Sequence, residues 1–204
     1  MFRRLGSALV ALAALAVVTL GRVPAGAEPS GPWLTGQFLV ATEKLGDPRF
    51  DHTVIYLVAH DLVGAMGLVV NRPIGQVPLA RALEAFGLDS KGVTGDIRVH
   101  YGGPVEPARG FVLHSSDYAE SGTQPIRKGV ALTVDREILE AIAHGKGPRQ
   151  ARLTFGYAGW AAGQLEGEIG RGDWITVPAD DLLLFDSDDS RKWERATARM
   201  KIEL

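Results

Sequence analysis

Apolar residues recur at every second position in several short stretches of this chain, and at every third or fourth in a few others. Residues 151–178, ARLTFGYAGWAAGQLEGEIGRGDWITVP, contain both periods. Leu153, Phe155 and Tyr157 alternate with Thr154 and Gly156, which predicts a half-buried strand over 151–157. Ala161, Ala162, Leu165 and Ile169 then share one helical face. A turn at 171–173 leads into a second strand, 174–177, that stops at Pro178. Trp160 and Trp174 mark the two changes of direction, and the chain is organised around this unit.

The remaining pattern fills in the domain. Phe38, Leu39 and Val40 predict a first strand, and the β-branched and aromatic run 53–58 the strongest one. A turn at 60–64 and an apolar return at 66–70 make an antiparallel hairpin, which Asn71-Arg72-Pro73 ends. Pro78 opens a helix carrying Leu79, Leu83 and Phe86, with Gly87 as its C-terminal stop. Residues 89–96 read as the most mobile loop, 97–101 and 110–114 as strands, 115–128 as a long loop and 130–134 as a short strand. Asp135 is expected to cap a helix over 136–143 that turns Ile138, Leu139 and Ile142 inward. The apolar run 182–185 reads as an edge strand. One acid of 186–190 should cap a last helix presenting Trp193, Ala196 and Met200. Mixed strands and helices with a hairpin favour an α+β domain over a regular βαβ succession.

The N-terminus departs from this pattern. A basic start, MFRR, precedes an uncharged Ala/Leu/Val run over 5–20, and Ala25-Gly-Ala27 supplies a small-x-small site before Glu28. Residues 1–27 therefore read as a secretory signal peptide, 28–33 as a short linker and 34–204 as the domain. Export to the periplasm or cell envelope follows if the leader is real. An uncleaved leader would be a membrane anchor, and a start codon placed too far upstream would leave a cytoplasmic protein. The formal charge is −2, and losing Arg3, Arg4 and Arg22 with the leader makes the body more acidic still. No basic stripe recommends a nucleic acid. The absence of cysteine removes disulfides, thiolate metal sites and cysteine nucleophiles from consideration.

Candidate chemistry is sparse. No HExxH, Walker loop, GxGxxG or GxSxG occurs, and no cofactor, metal or catalytic set is expected. The five histidines lack ligand spacing; His100 and His114 could face each other on neighbouring strands, with Asp117 as a third ligand. His114 beside Ser115 invites a base-and-nucleophile reading, but neighbours on a strand point to opposite faces. Gly102-Gly103 could offer backbone N–H groups to an anion or simply make a tight turn. Asp47, Asp51, Asp61 and Glu106 could rim one pocket with Arg49, Arg72 and Arg109. Arg72, held between Asn71 and Pro73, could grip a carboxylate or close a structural ion pair. Tyr157 and Trp160 could floor a cleft or anchor packing, and Gln164 with Glu168 could hydrogen-bond across one helical face.

Several blocks then recur in a known order: GQFLVA at 36–41, DPRF at 47–50, GAMGLVVNRP at 64–73, YGGP at 101–104, GFVLH at 110–114, GYAGW at 156–160, GQLE at 163–166, Trp174 and PAD at 178–180. Together they make the chain resemble the YqgE/AlgH family of bacterial proteins over roughly residues 33–200. The resemblance implies a single α+β domain with a strongly bent, partly barrel-like, mostly antiparallel sheet and about four helices. The family has no established enzymatic activity, and the resemblance maps the family's signature onto Asn71, Arg72, Tyr101, Gly102, Gly103, Pro104, His114, Tyr157 and Trp160 as a binding face. The leader is a departure, since members generally begin near the equivalent of Leu34. The expected function is non-enzymatic binding or regulation, with an unknown protein or small anion as partner. The rivals are an enzyme using His114 as acid or base and Arg72 as anion clamp, and a transcriptional regulator, for which direct DNA binding is disfavoured by charge.

Overall fold

The computed structural model describes residues 33–200, the side chain of Met200 excepted. The predicted leader and most of the linker lie outside these residues. Ten strands form one sheet: β1 (Gln37–Ala41), β2 (Val54–Asp61), β3 (Gly64–Val69), β4 (Pro73–Pro78), β5 (Asp96–Tyr101), β6 (Val105–Ser115), β7 (Thr123–Arg127), β8 (Val130–Thr133), β9 (Ala151–Ala161) and β10 (Trp174–Pro178). Five α-helices accompany them: α1 (Leu79–Ala85), α2 (Glu137–Ala143), α3 (Gln164–Gly170), α4 (Asp181–Phe185) and α5 (Lys192–Met200). The strand order is β10-β1-β2-β3-β9-β6-β8-β7, with β4 and β5 as a side branch on β9. Every pairing is antiparallel except β5 on β9. The sheet curls into a half-barrel, the bent form that the resemblance implies.

The unbroken apolar runs of β1 and β2 have a direct cause: both faces of the sheet are covered. Phe38, Val40, Val54, Tyr56 and Val58 point inward to join Leu68, Phe111, Leu113, Val130 and Leu132. That cluster draws on strands from both ends of the sheet, so it is the concave core, and Leu183, Leu184 and Ala196 of α4 and α5 roof it. Leu39, Ala41, Ile55 and Leu57 point the other way, under Leu165 of α3, with Trp160 and Trp174. On the second half of the sheet Val99, Val112 and Leu153 are covered by Leu83 of α1 and by Ile138 and Leu139 of α2.

β9 belongs to both halves. Its first part pairs with β5 and β6, and residues 158–161 pair with β3. The change happens at Gly156, whose φ is +74°. There the chain leaving β5 crosses at near-contact. A Cβ on Gly102 would stand 2.2 Å from the Gly156 carbonyl oxygen, and one on Gly103 would stand 2.1 Å from the Tyr157 carbonyl carbon. Gly102 also spends both backbone groups on this crossing, donating to Phe155 and accepting from Val69. Only glycine permits backbones to meet this way.

The concave face carries charge as well as apolar side chains. Asp189, 3% exposed, accepts from Arg152 of β9 and from Lys192 at 3.0 Å each, and its other oxygen meets His100 at 3.0 Å and Arg98 at 3.3 Å. Arg152 also donates to the carbonyls of Leu184 and Asp186. The tail is thereby stitched to β5 and β9, and removing Asp189 would strand buried cations without a counter-ion.

Several sequence expectations need correction. Pro73 does not end pairing; it begins β4, an exposed edge strand bounded by two prolines, where the missing N–H groups cost little. The loop expected over 115–128 contains β7. β6 starts at Val105 and β9 runs on to Ala161, so Trp160 lies within a strand and α3 starts only at Gln164. The expected edge strand at 182–185 is helix α4, whose N-cap Asp180 accepts from Leu183 N at 2.8 Å. Asp135 gives α2 no side-chain cap. Of the 186–190 acids, Asp189 turns inside to bind cations instead of capping α5. The C-terminal stop of α1 is as expected: Leu88 N reaches Leu83 O and Gly87 N reaches Glu84 O, both 3.0 Å, with Gly87 at φ +70°.

The crossing makes a sharp prediction. Gly102→Ala should lose about 3 kcal/mol of unfolding free energy, since its new methyl meets backbone that cannot retreat. Gly46→Ala, with nothing within 4 Å, should stay within about 0.5 kcal/mol; urea denaturation of both reads the difference.

Candidate functional site

Asn71 and Arg72 lie where β3 ends, and both reach back to the segment that precedes β2. Asn71 Oδ1 accepts from Val54 N at 2.9 Å and its Nδ2 donates to His52 O at 2.8 Å. The Arg72 guanidinium donates to Arg49 O and to Asp51 O, 2.6 Å each. The segment they hold is a short 3-10 turn, Pro48–Phe50, opened by Asp47, whose side chain accepts from Arg49 N. Asp47 also takes a forked hydrogen bond from the Arg49 side chain, which holds its carboxyl below the usual range. His52 sits at φ +49°, one of two non-glycine residues with positive φ among the described residues. Its ring packs on Trp193 with centroids 4.3 Å apart.

Tyr101 joins this group: its backbone N–H donates to Arg72 O. Burial raises its phenol, while Arg49 and Arg72 oppose that shift. The structure thus brings together Asn71, Arg72 and Tyr101 with Asp47, Arg49 and Asp51. Among the described residues Arg72 closes no ion pair, and it offers no empty fork, because both terminal nitrogens bind carbonyls. Gly102 and Gly103 are engaged in the strand crossing and do not face outward as an anion nest.

The other expected site residues lie elsewhere. His114 is fully buried; its Nδ1 pairs with Ser115 O at 2.9 Å and its Nε2 with Thr133 Oγ1 at 2.8 Å. It meets no solvent, and burial lowers its pKa, so the acid–base role gains no support from the geometry. His100 lies on the opposite face of the sheet, with β9 between their strands, so the two do not face each other. Asp117 instead receives hydrogen bonds from Ser115 and Arg149, with its pKa lowered to about 2. Among the described residues no three histidine or carboxylate side chains converge as metal ligands.

Tyr157 and Trp160 point to opposite faces of β9. Tyr157 packs edge-on against Phe111, toward Glu106. Trp160 Nε1 donates to Glu168 Oε2 at 2.8 Å, and Trp174 Nε1 donates to the same oxygen at 2.9 Å. Gln164 binds the other oxygen of Glu168 at 2.9 Å, as its spacing suggested. One carboxylate therefore pins both indoles and the start of α3; the two tryptophans six and eight positions from an acid were the available signal. Glu106 pairs with Arg109, while Asp61 caps its own hairpin through Val63 N, so the single carboxylate-and-arginine rim does not form.

A family model described as AlgH-like matches residues 38–204. The chain belongs to the AlgH-like family. A UPF0301 protein of Methylococcus capsulatus is 53% identical over 162 residues, covering 79% of this chain and 88% of that protein. A UPF0301 protein of Afipia carboxidovorans is 45% identical over 196 residues, covering 92% of this chain and 93% of its own length. The solution structure of the AlgH protein from Pseudomonas aeruginosa superposes with a TM-score of 0.71 at 39% identity, covering 86% of this chain and 93% of that one. The AlgH-like motifs thus mark backbone crossings, turns and indole anchors more than a reaction centre, and the relatives' names state no activity.

Two buried imidazoles give the AlgH-like domain a pH signature. Burial lowers the pKa of both His100 and His114 from 6.5, so the folded state binds fewer protons than the unfolded chain. Their contribution is complete above pH 6.5 and is lost as pH falls below it, by up to about 1.4 kcal/mol per pH unit for each histidine. Denaturation midpoints between pH 7 and 5 should fall accordingly, and His114→Gln should flatten the slope.

Proposed function

We propose that the protein is a non-enzymatic binding or regulatory protein whose recognition surface is the Asp47–His52 turn together with Arg72 and Tyr101. The observation that supports this reading is His52. A non-glycine residue at positive φ costs of order 1 kcal/mol or more, and here Asn71 and Arg72 supply four hydrogen bonds to hold it and its neighbours in place. Strain maintained on an exposed turn points to a surface kept in shape for a partner. Arg49, 62% exposed at its side chain, and Tyr101 present charge and an aromatic ring for a protein or a small anion. Nothing in the body's charge recommends a nucleic acid.

Export by residues 1–27 belongs to the same reading. Support comes from the basic start, the uncharged run and the Ala25-Gly-Ala27 site. The alignment with the Afipia relative covers more of this chain than residues 28–204 contain, so that protein carries residues matching part of this segment.

Affinity capture from the native host tests both. Full-length protein, Arg49→Ala, Arg72→Ala and a Lys91→Ala control are compared, with the intact mass of the recovered protein measured. A defined partner retained by the control and weakened about tenfold by either arginine change, as for a central contact, with melting temperature kept, is the expected result. Equal capture by the unsubstituted protein and all three variants rejects the surface, and a species retaining residues 1–27 in a soluble cytoplasmic fraction rejects export.

A further inference from the structure

β2 separates two ends of the molecule. The Asp47–His52 turn precedes it and the Asp61–Gly64 hairpin tip follows it; eight residues at about 3.3 Å each hold them roughly 25 Å apart. The chain enters at the hairpin end. Leu34 N donates to His60 Nδ1 at 3.0 Å, which leaves Nε2 to donate to Glu166, and Trp33 stacks edge-on against the His60 ring at 5.3 Å. Gly36 N donates to Leu57 O.

This same end collects unburied apolar side chains. Leu62 is 81% and Val63 71% exposed at the hairpin tip. Gln37 pairs with Pro178, so the start of α4 arrives here too, and Leu182 is 81% exposed on it. Arg127 packs against Gly36 and binds Asp181, which brings the β7–β8 turn and exposed Lys128 alongside. The acids present are engaged: Asp181 with Arg127, Asp180 with Arg199, Glu166 with His60, and Asp61 with the backbone of Val63.

We propose that this end is a bilayer-contacting surface, on which Leu62, Val63 and Leu182 enter the headgroup boundary, Trp33 sits at the interface and Lys128 faces anionic lipid. The occupant follows from where the chain leads. The uncharged run 5–20 lies upstream of Trp33, with twelve residues between Leu20 and Trp33. That connection spans at most about 40 Å when extended, so while residues 1–27 stay attached a run engaged with membrane keeps the body close to lipid, and the chain enters the body at this end. Aromatic and cationic side chains beside exposed aliphatics are the composition of an interfacial contact. Seated this way, the Asp47–His52 turn faces away from the membrane. The inference goes beyond the binding reading and rests on the uncleaved case of the leader, in which residues 1–27 stay attached to the body.

The absence of cysteine allows a direct test. Full-length protein carrying an environment-sensitive fluorophore at Leu62→Cys, Leu182→Cys or the distant loop position Lys91→Cys is mixed with vesicles of phosphatidylethanolamine and phosphatidylglycerol. Labels at 62 and 182 should shift to the blue and be quenched by a lipid-borne quencher, while the label at 91 stays solvated. Vesicle flotation with all three labels solvated overturns the proposal while leaving residues 1–27 as a membrane segment. No flotation and no shift overturns it and counts against that segment as well. A concentration-dependent shift without vesicles assigns the surface to a second copy of the chain and overturns it also.

Discussion

Two backbones meet where Gly102 and Gly103 pass Gly156, and the curl of the sheet depends on that approach. Any side chain at the crossing would push the β5 exit away from β9. β9 could then no longer pair with β5 and β6 before the crossing and with β3 after it. The concave core exists because one strand serves both halves: Phe38 and Tyr56 from the first half reach Phe111 and Leu113 from the second only across that curl.

The polar side chains of this domain work largely on the chain itself. Asn71 and Arg72 bind carbonyls and an amide of the preceding segment. Glu168 receives two indoles, and Asp189 gathers cations from two strands and from α5. Most of these side chains fasten a turn, a corner or the tail to the sheet. What they present outward is narrower: the 3-10 turn with its exposed arginine, and Tyr101 beside it.

Much of the fold was legible because the burial pattern is simple. β2 is apolar at nearly every position, and a sheet covered on both faces demands that. The 151–178 unit read correctly in outline because its period changes from two to nearly four within a few residues. β4 and β7 were hidden because each is a short edge strand containing proline, with no alternation to reveal it. Leu182 to Phe185 has no period at all, so a four-residue apolar run alone cannot separate strand from helix; Asp180, three residues before Leu183, was the cap that could have decided it. The candidate site was half legible. Asn71, Arg72 and Tyr101 do assemble, but Arg72 binds carbonyls from a segment twenty residues upstream, and sequence spacing carries no trace of that. His114 and Trp160 were grouped with them only by motif, and burial separates them.

The roof over the concave core is the last part of the domain to be synthesised. β1 pairs with β10, so the first and last strands must find each other across nearly the whole domain, and only then can α4 and α5 bring Leu183, Leu184 and Ala196 over the core. Such closure comes late, because long-range pairing must first overcome loop-closure entropy. While the C-terminus is still in the ribosome, Phe38, Tyr56 and Phe111 have no lid, and the emerging chain presents an open apolar trough.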